Sequence, residues 1–563
     1  MSRTRRVPLR LAASVLTLTL TLSLPLAVAC TPPGLPPPIA PSAAATTATA
    51  PVSEGSVVVG MDGTAVGFNP HQIADAGPVS AAVAALVLPS VSTVEPDGVR
   101  RVNRDLVDSA GVTSTDPWTV TYRLSTGASW SDGTPVTAED FSYLWDQMLV
   151  QPGTVDPAPY RLITAVRSLD AGKTVQVEFS APVPGWASLF SPLLPSHILK
   201  DSPGGWATGL AGGVPVSANR YKLQSVDAVN GELTLVRNDK YWGEQPGPAA
   251  VVLRIGTPTA LREALRRGDV QAVLVRPDAA DGAALAAAVP AADRRAVPLP
   301  ATVDLVFDTA AGPTRQTAVR RAVAQALDLS ALRAVLTGGR DDGLLPVSSA
   351  VTLPSTRGAG TLDGPPVPTG DPAAAAASLT AAGWTATGAY LSRDGVPLRL
   401  VLSYPPGDPR MQAAAEQVQV QLGAAGIEVD LVRLSVAGIV AGLSAGTVQL
   451  ALLEVPRVRS DAVAVASSYT CPPPVAGAAP AIGRGADLSG YCLSRPSAVQ
   501  LLSEQADPAT ADAELWRELP ALPIGQPVAV FATGAGLSGV AGTGGPGWTW
   551  ASPLSGAPGW TVH

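Results

Sequence analysis

The chain is poor in several residue types, and each shortage removes a class of function. Of its 563 residues only three are histidine and three cysteine. His71, His197 and His563 lie far apart, without an HExxH spacing or a carboxylate cluster, so a metal centre built on imidazole pairs is not expected. Cys30, Cys471 and Cys492 include no CxxC, which sets aside zinc-ribbon and dithiol redox chemistry. Only four residues are lysine, and 38 basic residues face 45 acidic ones, a formal charge of −7. No basic patch exists to follow a phosphate backbone, so nucleic acid is not an expected partner. Beyond the first thirty residues no apolar stretch reaches the length of a membrane span. Catalysis lacks its parts as well. Gly442–Gly446 (GLSAG) matches the GxSxG elbow, yet only the terminal His563 follows Ser444, whereas that triad needs an acid and then a histidine downstream. The glycine-rich stretch 539–547 lacks the lysine of a phosphate loop and reads as a loop. No enzyme activity and no cofactor are expected.

What is present begins with an export signal. Arg3, Arg5, Arg6 and Arg10 precede an apolar run from Leu11 to about Leu24, and small residues lead to Cys30. That is the basic, apolar and small-residue order of a secretory signal, and the run is too short to span a bilayer. Leu26-Ala27-Val28-Ala29-Cys30 places a cysteine where lipoprotein processing makes it the first mature residue. The expected localisation is the outer face of the cell membrane, with acyl chains on Cys30 as the anchor. Residues 30–54, rich in Pro, Ala, Ser and Thr, read as a tether unable to bury a core. With Cys30 lipidated, Cys471 and Cys492 remain to pair as a disulfide in an oxidising compartment.

The body of about 510 residues is long enough for two or three domains. Ser56–Met61 (SVVVGM) reads as a buried strand, after which the chain turns at Gly67–His71, and WTVTYRL (Trp118–Leu124) alternates like a half-exposed strand. Thr137 is placed to cap a helix with Glu139 and Asp140 in its first turn and Phe141, Leu144, Trp145 and Met148 on one face. Further strands are expected at Thr174–Phe179, Leu233–Arg237, Val251–Ile255, Leu398–Tyr404 and Glu428–Arg433. Helices are expected at Ala260–Arg267, Thr317–Leu327, Pro372–Ala382 and Gln412–Gly423. Strands and helices mixed at irregular spacing indicate an α/β class with mixed sheets.

Several phrases carry a family resemblance. TVTYRLSTGASWSDGTPVTAEDFSYLW (Thr119–Trp145), VRNDKYWG (Val236–Gly243), ALRRGDV (Ala264–Val270), VRRAVAQALDLSAL (Val319–Leu332), LTAAGW (Leu379–Trp384) and LWRELPALPI (Leu515–Ile524) stand in order along the chain. They resemble the family 5 extracytoplasmic solute-binding proteins, the peptide- and nickel-binding components of ABC importers. Gly67–His71 (GFNPH), Pro78–Ser90, Tyr143–Leu169, LPSHILKDSPGG (Leu194–Gly205) and the late cysteine pair resemble, more narrowly, the LpqW-like subfamily of actinobacterial lipoproteins, which binds a mannosylated phosphatidylinositol and steers lipoarabinomannan assembly.

The resemblance implies a two-lobed periplasmic-binding-protein-like fold with a ligand cleft between lobes. Lobe I would span 55–300 with an inserted subdomain at about 80–200, lobe II 301–500, and 501–563 would return to complete lobe I. The implied ligand is a peptide or a glycolipid, the implied partner an ABC permease, and the protein is expected to be a monomer. The resemblance also makes residues 442–446 the loop before strand Val448–Leu453, after which peptide binders carry an acid-bearing Trp-Gly-x-Asp phrase. Here Glu454-Val455-Pro456-Arg457-Val458-Arg459-Ser460-Asp461 stands there. Guanidinium forks suit phosphate or carboxylate, so an anionic headgroup is the sharper expectation, a solvated surface loop is the plainer one, and Asp461 still suits an ammonium group. The residues expected at the ligand are Phe68, Asn69, His71, Trp145, Arg457, Arg459 and Asp461.

Overall fold

A computed structural model describes residues 55–563 apart from 65, 96–97, 357–366, 368, 472–484, 541–547 and 549–551. The expected signal segment, Cys30 and the tether, with most of the glycine-rich stretch 539–547, lie outside the described residues. No helix among those described is long and apolar enough to cross a membrane.

One mixed sheet of twelve strands runs through the body. From one edge its path is Glu428–Arg433, Arg399–Tyr404, Leu450–Pro456, Ala301–Phe307, Ala521–Thr533, Ala272–Val275, Ser56–Met61, Ala250–Ile255, Glu232–Arg237 and Tyr221–Asp227. Strand Ala521–Thr533 stitches the two halves together. Its first part pairs with Ala301–Phe307, and its last part pairs with Ala272–Val275 and with Arg294–Pro298. Val and Leu dominate the central strands because both faces are covered, and all six residues of Ser56–Met61 are buried. Helices Pro258–Arg267 and Ala279–Ala288 pack on one half, with Thr257 and Asp278 as side-chain caps. Thr317–Ala326, Leu329–Thr337 and Pro409–Ala424 pack together on the other.

A separate antiparallel sheet has the order Val107–Thr115, Trp118–Leu124, Thr174–Phe179 and Ile163–Leu169. Trp118–Leu124 is not half-exposed, as its alternation implied: Thr119, Val120, Thr121, Tyr122 and Leu124 are all buried. Its polar residues are small threonines with partners, Thr121 Oγ1 lying 2.7 Å from Thr113 Oγ1, so they can sit inside. Tyr122 packs on Phe141 of helix Ala138–Val150, ring centroids 5.5 Å apart. That helix starts as expected, with Thr137 and Asp140 forming a reciprocal capping box.

Residues 442–445 are not a loop. They form the last turn of helix Val436–Ala445, capped by the Ser435 side chain and ended by Gly446 in the left-handed conformation, φ 69°. Ser444 therefore ends a helix instead of standing on a strand-to-helix elbow. Cys471 and Cys492 are joined as a disulfide, Cα atoms 5.4 Å apart.

Candidate functional site

Strands Ser56–Met61, Ala250–Ile255 and Ala272–Val275 run parallel in one half of the sheet. Arg399–Tyr404, Glu428–Arg433 and Leu450–Pro456 do so in the other. In open α/β sheets ligands bind beyond the carboxyl ends of parallel strands. The loops leaving those ends meet here along a seam. Asp62, just past Met61, accepts the Arg276 N–H through Oδ2 at 2.8 Å. The Arg276 guanidinium pairs with the Glu454 carboxylate on strand Leu450–Pro456, and Arg410 Nη1 donates to the Arg276 carbonyl at 2.9 Å. Arg276, Val303, Arg340, Asp408, Arg410 and Glu454 line a small hollow of about 30 Å³ where the sheet changes halves.

Further along the seam, residues 71–73 hold the segment 153–155. The His71 carbonyl accepts the Val155 N–H at 2.8 Å, and the Ile73 N–H donates to the Gly153 carbonyl at 2.8 Å. That segment presents Asp156, whose Oδ2 accepts the N–H groups of Val458 and Arg459, each at 3.0 Å. The Ala158 N–H donates to Ser467 Oγ at 3.0 Å, and Arg161 Nη1 to the Thr470 carbonyl at 3.1 Å.

Most of the residues expected at the ligand lie in this region, with partners from the chain itself. Phe68 and Asn69 are buried behind the seam. Asn69 Nδ2 donates to the Trp206 carbonyl at 3.0 Å, and Asn69 Oδ1 accepts the His71 N–H at 3.1 Å. His71 Nε2 donates to the Pro192 carbonyl at 2.8 Å, and the ring stacks with Trp206. Trp145 is half-buried and donates through Nε1 to the Tyr160 carbonyl at 3.1 Å. Arg457 and Arg459 are buried, not spread on the surface. Arg457 donates to the carbonyls of Val351 and Ala350 at 2.9 and 3.3 Å. Arg459 donates to the Ser188 carbonyl at 3.3 Å and to the Tyr160 hydroxyl at 3.2 Å, and its Nη1 has no partner among the described residues. Asp461 opens helix Asp461–Tyr469, and its Oδ1 accepts the Leu353 N–H at 3.2 Å.

Sequence reasoning passed over Asp156, Tyr160, Asp304 and Arg276. Their roles depend on partners more than 150 residues away, and nothing local marks them. Asp304 sits inside strand Ala301–Phe307 at 2% exposure with Oδ1 unpartnered among the described residues. Burial pushes the carboxyls of Asp62, Asp156, Asp304 and Asp461 up, while the nearest guanidinium, Arg276, Arg459 or Arg457, pulls each back. Burial and the Arg459 charge push the His71 imidazole down to about 3. The seam thus holds a neutral imidazole, buried acids and guanidinium groups side by side.

The sequence model of bacterial extracellular solute-binding proteins, family 5 Middle, matches residues 101–472. The chain belongs to that family. Its curated relatives include LpqW of Mycobacterium tuberculosis, named "Probable monoacyl phosphatidylinositol tetramannoside-binding protein LpqW", 35% identical over 416 residues. That match covers 67% of this chain and 64% of LpqW, so the chain spans less than two thirds of that relative. Among solved structures, the periplasmic EDTA-binding protein EppA is 24% identical with a TM-score of 0.67 over 90% of this chain and 96% of that one. The oligopeptide-binding protein AppA from Bacillus subtilis, in complex with a nonapeptide, is 16% identical with a TM-score of 0.70 over 90% and 99%. The fold of this family 5 protein is the two-lobed binding-protein fold with mixed sheets. Its relatives are binding proteins of the ABC-importer type, and its family is extracellular.

Proposed function

We propose that this family 5 protein is a lipoprotein, anchored through Cys30, whose seam between lobes opens to take an anionic glycolipid headgroup of the mannosylated phosphatidylinositol kind. The observation that carries the reading is Arg459. It stands on the loop beyond strand Leu450–Pro456, is buried between both halves, and keeps one guanidinium nitrogen without a partner among the described residues. A buried donor left unmade is costly, and an oxygen-rich anion satisfies it. The named ligand of LpqW is of the same chemistry. The basic start, the short apolar run and Leu26–Cys30 support the anchor. In this reading the protein serves envelope lipid assembly.

A second reading, delivery of peptides to an ABC permease, is favoured by the carboxylate of Asp461 beside Arg457, which suits an ammonium terminus. Native mass spectrometry of the body, residues 31–563, purified without refolding from its own host separates the two. A co-purified mannolipid, reduced in an Arg459→Gln variant, is the expected result. A ladder of short peptides in its place overturns the glycolipid reading.

A further inference from the structure

Asp156 is an unusual residue. Its backbone is in the left-handed region at φ 52°, its side chain is 2% exposed, and a single oxygen takes two consecutive N–H groups from the far side of the seam. Those N–H groups belong to Val458 and Arg459, between the end of strand Leu450–Pro456 and the start of helix Asp461–Tyr469, which Ser460 caps. The charges of Arg459 and Arg457 lie near the carboxylate. Consecutive backbone N–H groups, a helix start and guanidinium groups together make an anion site. Here the anion comes from the chain itself. It is carried on the segment tied to residues 71–73, so the contact joins the two sides of the seam.

A separate observation shows that the carboxylate does not exhaust the site. Arg459 Nη1, on the residue whose N–H the carboxylate takes, is buried and has no partner among the described residues. A phosphate, with three oxygens, can accept both N–H groups and the guanidinium at once.

We propose that Asp156 plugs an anion site formed by the Val458 and Arg459 N–H groups with the Arg459 guanidinium, and that an incoming phosphate or carboxylate takes over these donors as Asp156 withdraws. Opening of the seam and arrival of the ligand are then one exchange. The exchange leaves no charge uncompensated at the loop. A neutral ligand leaves two N–H groups and a guanidinium without an acceptor, so the plug selects for anions. This deepens the reading above and rests on it for the seam as the place of binding.

The test removes the plug and supplies its chemistry from solution. Asp156→Gly keeps the left-handed backbone accessible and deletes the carboxylate. Its thermal unfolding midpoint is measured with sodium formate, acetate or inorganic phosphate, each against sodium chloride at equal ionic strength. The expected result is a midpoint below wild type that formate and phosphate raise by several degrees and chloride does not, while wild type responds to none of them. Equal responses of variant and wild type, or equal rescue by chloride, overturn the proposal. Should Asp156→Gly fail to fold, Asp156→Asn keeps an acceptor oxygen and loses the charge. Hydrogen exchange at the Val458 and Arg459 amides is then expected to speed up several-fold and to slow again with phosphate. Exchange that matches wild type overturns the plug. Because the probes are small ions, the outcome separates from the ligand question. Rescue by phosphate without any glycolipid on the native protein keeps the plug and removes the glycolipid reading.

Discussion

Burial and the neighbouring Arg459 hold the His71 imidazole near pKa 3 in the native protein, against 6.5 for an unhindered histidine. Below pH 6.5 the unfolded chain therefore takes up a proton at this residue that the native state refuses. The stability contributed by a neutral His71 is complete above that pH and is lost as the pH falls toward 3, at about 1.4 kcal/mol per unit. Burial of Asp62, Asp156 and Asp304 works in the opposite direction, because there the native state releases its proton at a higher pH than the unfolded state does. Comparison with a variant isolates the histidine. His71→Gln keeps a donor for the Pro192 carbonyl without a titrating ring. Urea unfolding at pH 7.5, 6.5 and 5.5 is expected to show wild type losing stability relative to the variant by about 1 kcal/mol between the two lower values. Parallel pH profiles would mean that His71 is solvated in the native state. The sequence placed this residue in a turn, and Asn69–Gln72 does form one, the Gln72 N–H reaching the Asn69 carbonyl at 3.1 Å, but nothing local announced a stacked, buried ring whose carbonyl partner lies 121 residues away. The arginine pair was legible in the same partial sense. Its position after a strand was readable, whereas its burial depends on carbonyls at 188, 350 and 351.

At the scale of elements, legibility followed periodicity and capping. Helix Ala138–Val150 was readable because Thr137, Glu139 and Asp140 mark its start and the apolar residues keep a helical spacing. Asp140 does more than cap. Its Oδ2 accepts the Thr137 N–H at 3.1 Å, and its Oδ1 accepts the N–H and hydroxyl of Ser196 at 3.1 and 2.8 Å, tying helix Ser196–Leu199 to this one. Thr137→Ala is expected to cost about 1 kcal/mol, the ordinary loss of an N-cap. Asp140→Ala is expected to cost roughly 3 kcal/mol, because it leaves several buried donors unmade at once. Equal losses for the two in denaturant unfolding would show that the link to Ser196 carries nothing. Strand Ala521–Thr533 was not legible as a central strand, since Pro523 and Pro527 argue against one. Both prolines sit where the strand changes partners: Pro523 lies opposite Asp304 next to an irregularity in register, and Pro527 lies opposite Leu344. The feature that disguised the strand is the one that lets it serve both halves.

For the whole molecule, the question is what holds the two sides of the seam together. Two polar groups of contacts do so near its ends. One is the Asp156 cluster, with Ala158 and Arg161 bonded to Ser467 and Thr470. The other is Arg276, which ties Asp62 to Glu454 beside the crossing strand. Strand Ala521–Thr533 keeps the halves joined whatever the seam does, so weakening these contacts should open the molecule without unfolding it. The Arg276–Glu454 pair is half-buried, its side chains 20% and 29% exposed. It is therefore worth more than a surface pair and less than a fully enclosed one, about 1–2 kcal/mol. A change of 1.4 kcal/mol alters an equilibrium tenfold. Glu454→Gln keeps the side chain's shape and removes its charge, leaving Asp62 and Asp408 as the remaining acids near Arg276. Small-angle scattering is expected to show a larger radius of gyration for Glu454→Gln than for wild type, with thermal unfolding still cooperative. An anionic ligand that fits the Arg459 site should bring the two curves together, since its contacts bridge the same seam from within. A variant whose scattering matches wild type while its stability falls would place Arg276–Glu454 inside one rigid half, and would leave the Asp156 cluster as the sole latch to test.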